Sequence, residues 1–132
     1  MGEKRNFSAK REAIYEAIAG MKSHPSAEQV YERLRDDIPD LSLGTVYRNV
    51  ALFRKSGRIK SVGVWGGHER FDAELSDHAH FVCTGCYEIR DIFLTDSSLE
   101  KSLVSQLESE GCTVTSSSLV FCGLCERCKG RQ

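Results

Sequence analysis

Residues 42–57 read Ser42-Leu-Gly-Thr-Val-Tyr-Arg-Asn-Val-Ala-Leu-Phe-Arg-Lys-Ser-Gly57. Ser42 is an N-cap residue and Gly57 a stop, so the stretch predicts one helix of about four turns. Val46, Val50 and Phe53 fall on one face, with Leu43 and Leu52 on its flanks. Upstream, Pro25 marks an entry and Ser26 with Gln29 forms a capping box. A helix follows to about Asp36, with Ala27, Val30, Tyr31 and Leu34 inward. Asp37-Ile-Pro-Asp40 is a turn. Before it, Ser8 is the expected cap of a first helix that packs Ile14, Ala17 and Ile18 and ends at Gly20.

Two short helices, a turn and a third helix are the plan of a helix-turn-helix. Ser42, Thr45, Tyr47, Arg48 and Asn49 at the start of the third helix would face base edges or phosphates. Arg58-Ile-Lys-Ser-Val-Gly-Val-Trp-Gly-Gly67 and His68-Glu-Arg-Phe-Asp72 are two strand-like runs around a Gly-Gly turn, which adds a wing. Arg54, Lys55, Arg58 and Lys60 cluster there and suit phosphate contacts. The same pattern also fits a plain three-helix bundle with a solvated basic face.

Charge follows this division. Residues 1–62 hold 12 Lys and Arg against 8 Asp and Glu, whereas residues 63–132 hold 6 against 11. A basic front half suits nucleic acid and an acidic back half suits cations. No apolar run approaches the ~20 residues of a membrane span, and the first residues lack a secretory core. A cytoplasmic location is expected, so the six cysteines read as metal ligands or redox groups rather than a disulfide framework.

Phe71 through Asp91, FDAELSDHAHFVCTGCYEIRD, gathers the metal-binding residue types. His78 and His80 are two apart, so in a strand both imidazoles leave one face. Cys83-x-x-Cys86 pairs with Cys125-x-x-Cys128, a spacing that suits a closed tetrahedral Zn²⁺ site. The 38 residues between the pairs must hold folded elements. Tyr87 to Leu94 is a predicted strand. Thr95 or Asp96 caps a helix from about Ser97 to Glu110 with Leu99, Leu103, Val104 and Leu107 inward, and Thr113 to Phe121 is a third strand. This is a small α/β unit whose free strand edges favour a symmetric dimer. Cys112 and Cys122 are expected as small buried hydrophobes, a redox role being the alternative.

A second metal site needs harder ligands. His78 and His80 anchor it, and Asp72 and Asp91 lie on segments that can fold onto them. His24, at the hinge between the first two helices, reaches in from the front half. Three imidazoles and two carboxylates suit Fe²⁺, Mn²⁺ or Zn²⁺ and leave iron an open position. Taken singly, His24 also reads as a loop residue and Asp72 as a turn acid. His68 sits in the wing and is left out.

The chain resembles the ferric uptake regulator (Fur) family. The likeness rests on His24-Pro-Ser-Ala, Ser42-Leu-Gly-Thr-Val-Tyr-Arg-Asn, Arg70-Phe-Asp, Asp77-His-Ala-His-Phe-Val-Cys-Thr-Gly-Cys and Gly123-Leu-Cys-Glu-Arg-Cys. It implies an α+β protein: a winged helix-turn-helix DNA-binding domain (1–73), then a small α/β metal-binding dimerisation domain (74–132). It implies a homodimeric, cytoplasmic repressor on a double-stranded DNA operator, with structural Zn²⁺ on Cys83, Cys86, Cys125 and Cys128. The protein would not be an enzyme.

Within the family the likeness is closer to the peroxide-sensing repressors (the PerR subgroup). Their regulatory site, three His and two Asp, maps onto His24, Asp72, His78, His80 and Asp91, and would take Fe²⁺ or Mn²⁺, with Zn²⁺ possible in vitro. His24 and His78 would be the oxidation-sensitive imidazoles, and peroxide the one small-molecule substrate. Iron-sensing members tend to carry Glu at Asp72 and a His near Ser117, where this chain has Ser116 to Ser118. An iron- or zinc-responsive repressor is the alternative within the family. A metalloenzyme or a thiol sensor acting through Cys112 and Cys122 are the rivals outside it. The chain departs from the family in its short segment before Ser8, in Tyr87 where Gly is usual, and in the added Cys122.

Overall fold

In the computed structural model the third helix forms as its caps dictate. Residues 6–76, 78–93, 95, 96 and 98–130 are described. The chain divides into two units, Met1–Leu75 and Ser76–Gln132.

In the first unit α1 spans Phe7–Gly20, α2 Ala27–Leu34 and α3 Leu43–Ser56. Asn6, not Ser8, caps α1: its Oδ1 accepts from the Ala9 N–H at 2.8 Å, and its backbone is extended. Ser8 lies inside the first turn, where its hydroxyl cannot reach those amides. The Ser26–Gln29 capping box is complete, and α2 ends at Leu34, earlier than Asp36. Ser42 Oγ accepts from the Thr45 N–H at 3.1 Å, and Gly57 closes α3 at φ 80°.

Ile14, Ala17, Ile18, Val30, Val46, Val50 and Phe53 form the core, as the periodicity predicts. Ile38, Leu41, Ile59 and Phe71 join it from turns and the wing, where no helical period announces them. Ile38 is 1% exposed, and burial of such a side chain contributes about 2 kcal/mol.

The wing is β1, Lys60–Trp65, antiparallel to β2, His68–Asp72, from the pair Lys60–Asp72 to the pair Trp65–His68. Gly66 and Gly67, at φ 63° and 83°, make the two-residue turn. The register slips between Ser61 and Gly63. Gly63 has φ 107°, and a Cβ there would stand 2.9 Å from Trp65 Nε1, so this bulge admits only glycine.

The second unit is a three-stranded sheet in the order β4-β3-β5. β3, His78–Cys83, is central. β4, Ile89–Phe93, runs antiparallel to it, and β5, Val120–Gly123, runs parallel. The parallel pairing needs a crossover, which α4, Ser98–Ser109, provides. The Asp96 carboxylate accepts from the Ser98 N–H at 2.9 Å. A last turn, α5, spans Glu126–Lys129.

Three expectations fail here. Residues 113–119 are not a strand. The ladder to β3 begins where the His80 N–H donates to the Leu119 carbonyl, because Ser116 to Ser118 bring no apolar side chains to pack. Leu99, Leu103 and Leu107 of α4 are 65%, 53% and 43% exposed rather than inward. Cys112 and Cys122 are exposed, not buried, one just past the end of α4 and the other on an outer strand. No helix among the described residues is long and apolar enough to cross a membrane.

Candidate metal centres and nucleic-acid interface

The tight turn after β3 and the last turn of the chain bring the four cysteines together. The sulfurs of Cys83, Cys86, Cys125 and Cys128 lie within 4.8 Å of one another, with Cys86 Sγ and Cys125 Sγ 3.9 Å apart. Four sulfurs at about 2.3 Å from one Zn²⁺ would stand about 3.8 Å apart, so the set fits a tetrahedral ion. Cys83 Sγ accepts from the backbone N–H groups of Cys125 at 3.3 Å and Cys86 at 3.4 Å. The Cys125 amide, foremost, holds the Cys83 thiol down at about 6. Its neighbour Cys128 is pushed up to about 12, chiefly by its hydrogen bond to Cys83 and by burial. Four thiolates in such contact repel one another, and a dication is what lets all four ionise. Gly85 gives the turn its room: a Cβ there would meet Cys128 Sγ at 2.9 Å.

Charged side chains fasten α5 beside this cluster. Arg90 of β4 donates to Glu126 at 2.7 Å and to Glu88 at 3.0 Å, and Arg127 reaches Glu88 at 3.4 Å. Arg90 holds the Glu126 carboxyl at about 2, well below its ordinary value.

The harder ligands form a group within each unit. In the second unit β3 pairs His80 with Asp91 and His78 with Phe93. Asp91 Oδ1 lies 3.3 Å from His78 Nε2 and 3.4 Å from His80 Nε2. The two imidazole centroids are 4.5 Å apart, and His78 stacks on Phe93 at 5.1 Å. The Nδ1 of His78 is 2.7 Å from the Ser76 carbonyl, so Nδ1–H donates there and Nε2 is the nitrogen turned toward Asp91.

In the first unit His24 Nε2 lies 3.6 Å from Asp72 Oδ2, with both side chains buried. Asp72 Oδ1 accepts from the Glu74 N–H at 2.8 Å. His24 has φ 59°, a left-handed backbone that costs a non-glycine residue about 1–2 kcal/mol. Each group offers imidazole and carboxylate donors to a borderline or hard cation.

The third-helix side chains are partly engaged. Ser42 and Thr45 hydroxyls are 2.9 Å apart within the cap, and Thr45 Oγ1 accepts from Arg48 at 3.1 Å. Asn49 donates to the Thr45 carbonyl and accepts from Arg11. Tyr47, Arg48 and Lys55 are exposed on α3. Arg54 donates to Glu69 of β2 at 2.8 Å, which ties the helix to the wing. A groove of about 840 Å³ runs beside Tyr47, Arg54, Lys55 and the wing residues His68 and Glu69. His68 instead meets Glu28 at 2.8 Å.

Residues 4–122 match the model of the ferric uptake regulator family. The chain belongs to that family. Its likeness extends to the peroxide operon regulator of Bacillus subtilis, 31% identical over 126 residues, covering 96% of this chain and 86% of that protein. The fold matches the Helicobacter pylori ferric uptake regulator Fur with a TM-score of 0.78 at 20% identity, over 92% of this chain and 83% of that one. It also matches the Pseudomonas aeruginosa ferric uptake regulator with manganese, TM-score 0.71 and 26% identity, over 94% and 90%. The protein is therefore a transcription regulator of the Fur family and not an enzyme, with an N-terminal winged helix and a sheet-containing C-terminal unit. Its Cys₄ cluster and its His/Asp donors are of the kinds that hold the metals of this family.

Arg70 was not anticipated as a site residue. It is 8% exposed, and its Nε and a terminal nitrogen donate to the carbonyls of His24 at 2.5 Å and Ser23 at 2.6 Å. The signals in the sequence are its place in the Arg70-Phe-Asp motif and its position two residues before Asp72, on the same face of the strand.

Proposed function

We propose that this Fur-family regulator is a homodimeric, metal-dependent repressor that binds a double-stranded DNA operator and senses hydrogen peroxide. Residues 1–73 would bind DNA and residues 74–132 would dimerise. Cys83, Cys86, Cys125 and Cys128 would hold structural Zn²⁺. His24 and Asp72 of the first unit, with His78, His80 and Asp91 of the second, would hold the regulatory Fe²⁺ or Mn²⁺. The observation that carries this reading is the pair of oriented donor groups. His78 and His80 both aim Nε2 at Asp91, and His24 faces Asp72, with no apolar reason to bury them.

A ligand set drawn from both units links metal occupancy to the position of the DNA-binding unit. A ~100-fold preference of the metal for the DNA-binding arrangement is worth about 2.7 kcal/mol. Ser42, Thr45, Tyr47, Arg48, Asn49, Arg54 and Lys55 would meet the operator. Exposed Leu99, Leu103 and Leu107, and the open edge of β5, support pairing of two copies through the second unit.

Bound Fe²⁺ supplies redox chemistry toward peroxide that Mn²⁺ does not. In the net reaction one peroxide oxygen replaces the hydrogen on an imidazole carbon of His24 or His78, and the other leaves as water. The oxygenated ring is a poorer ligand, so the set falls apart and repression lifts. Ser116 to Ser118, where an iron-sensing member tends to carry a histidine, support peroxide over iron supply as the signal.

The experiment is anaerobic operator binding by zinc-replete protein loaded with Fe²⁺ or Mn²⁺, before and after stoichiometric peroxide, with peptide masses from the same samples. The expected result is release of the Fe²⁺ form alone, with one added oxygen on peptides holding His24 or His78. Both forms remaining bound would assign the protein to metal supply. Both leaving with oxidised cysteines would make the thiols the sensor.

A further inference from the structure

We propose that Arg70 is a positioning residue for the regulatory metal, holding the Ser23–His24 backbone in the conformation that turns the His24 imidazole toward Asp72. This rests on the reading of His24 and Asp72 as metal ligands. His24 stands before Pro25, and a residue before proline is driven toward extended backbone. Here it is left-handed instead, at φ 59°. Rotation to the extended region would swing both its carbonyl and its side chain away.

What opposes that rotation comes from β2. The guanidinium of Arg70 spans two successive carbonyls, His24 at 2.5 Å and Ser23 at 2.6 Å. The Phe71 N–H adds a bond to the Pro25 carbonyl at 3.1 Å. A planar fork reaches two acceptors at once, which an ammonium cannot do with the same geometry. Arg70 is buried, and burial lowers its pKa. A side chain kept there only to fill space would be apolar, since burying a cation is costly without specific acceptors. Arg70 and Asp72 are two apart on one strand, so a single strand face supplies both the ligand and the clamp for its neighbour.

The test compares the zinc-replete chain with R70Q, R70K and H24A. Mn²⁺ affinity is measured by paramagnetic resonance titration. The imidazoles coupled to bound Mn²⁺ are counted at saturation by spin-echo modulation. R70Q is expected to weaken Mn²⁺ roughly tenfold or more, as loss of an outer partner of a ligand does. It should also reproduce the H24A signature of one imidazole fewer. R70K, which cannot reproduce the fork on both carbonyls, should recover part of the affinity and only part of the His24 coupling. Unchanged affinity in R70Q overturns the proposal. So does weaker binding with every imidazole retained, because a merely structural residue would act that way. If R70Q does not fold by circular dichroism, R70K decides: fewer coupled imidazoles than in the wild type support the clamp, and the wild-type imidazole count, at whatever affinity, overturns it. If H24A itself keeps full affinity and the full imidazole set, the ligand reading fails and the clamp with it. If H24A is impaired and R70Q is not, only the clamp fails.

Discussion

The Nε2 of His24 lies 3.6 Å from Asp72 Oδ2, although one residue sits in the loop before α2 and the other ends the wing. Two buried side chains that can share a cation make Asp72 the sharpest test of the regulatory site. D72A should lower Mn²⁺ affinity by more than about 100-fold, beyond the loss an outer partner causes, while zinc stays bound. Elemental analysis beside a Mn²⁺ titration checks both. Loss of zinc together with Mn²⁺ would make Asp72 a folding residue instead.

The Cys₄ cluster joins the turn after β3 to the end of the chain, so its metal should be part of the second unit's stability. C128S or a strong chelator is expected to melt that unit while α1–α3 and their core persist. Native-state hydrogen exchange resolves the two units separately. Equal loss of protection in both would show that the zinc site holds the whole molecule together.

Leu103 is 53% exposed on α4, between Leu99 and Leu107. A charge there costs a monomer little but would be buried in a dimer. L103E should convert the protein to monomers in sedimentation velocity with unchanged circular dichroism. A dimer of undiminished affinity would move the interface elsewhere.

The Arg90 guanidinium lowers the Glu126 carboxyl to about 2 from an ordinary 4.5. A carboxyl with a depressed folded value stabilises the fold above its unfolded pKa, and that contribution is lost as pH falls toward the folded value. The stability difference between the chain and E126Q should therefore be constant above pH 4.5 and shrink between 4.5 and 2. Glu126 is exposed and screened, so the effect is small. Denaturant unfolding of both chains across that range measures it, and a difference independent of pH would exclude the ion pair as its source.

Much of this protein is local, and local features are legible in a sequence. Ser26, Gln29, Ser42 and Gly57 satisfy or close the ends of their own helices, so their roles depend on residues a few positions away. The period of Val46, Val50 and Phe53 marks a buried face for the same reason. The two Cys-x-x-Cys pairs declare their chemistry by spacing, although 38 residues separate them. Other features depend on groups distant in the chain. Ser8 is a good capping type, but backbone geometry places Asn6 at the cap instead. The period of Leu99, Leu103 and Leu107 signals an apolar face, but not whether this chain or another covers it. The place of Arg70 two residues before Asp72 does not disclose its contacts, because its acceptors, the carbonyls of Ser23 and His24, lie more than 40 residues away and carry no side-chain identity. The sequence by itself determined where the helices lie, which four cysteines pair by spacing and which types of donor a metal could meet. Only the tertiary structure decided which backbone turns His24 toward Asp72, because that orientation comes from a hydrogen-bonded fork between distant segments and not from any residue's own propensity.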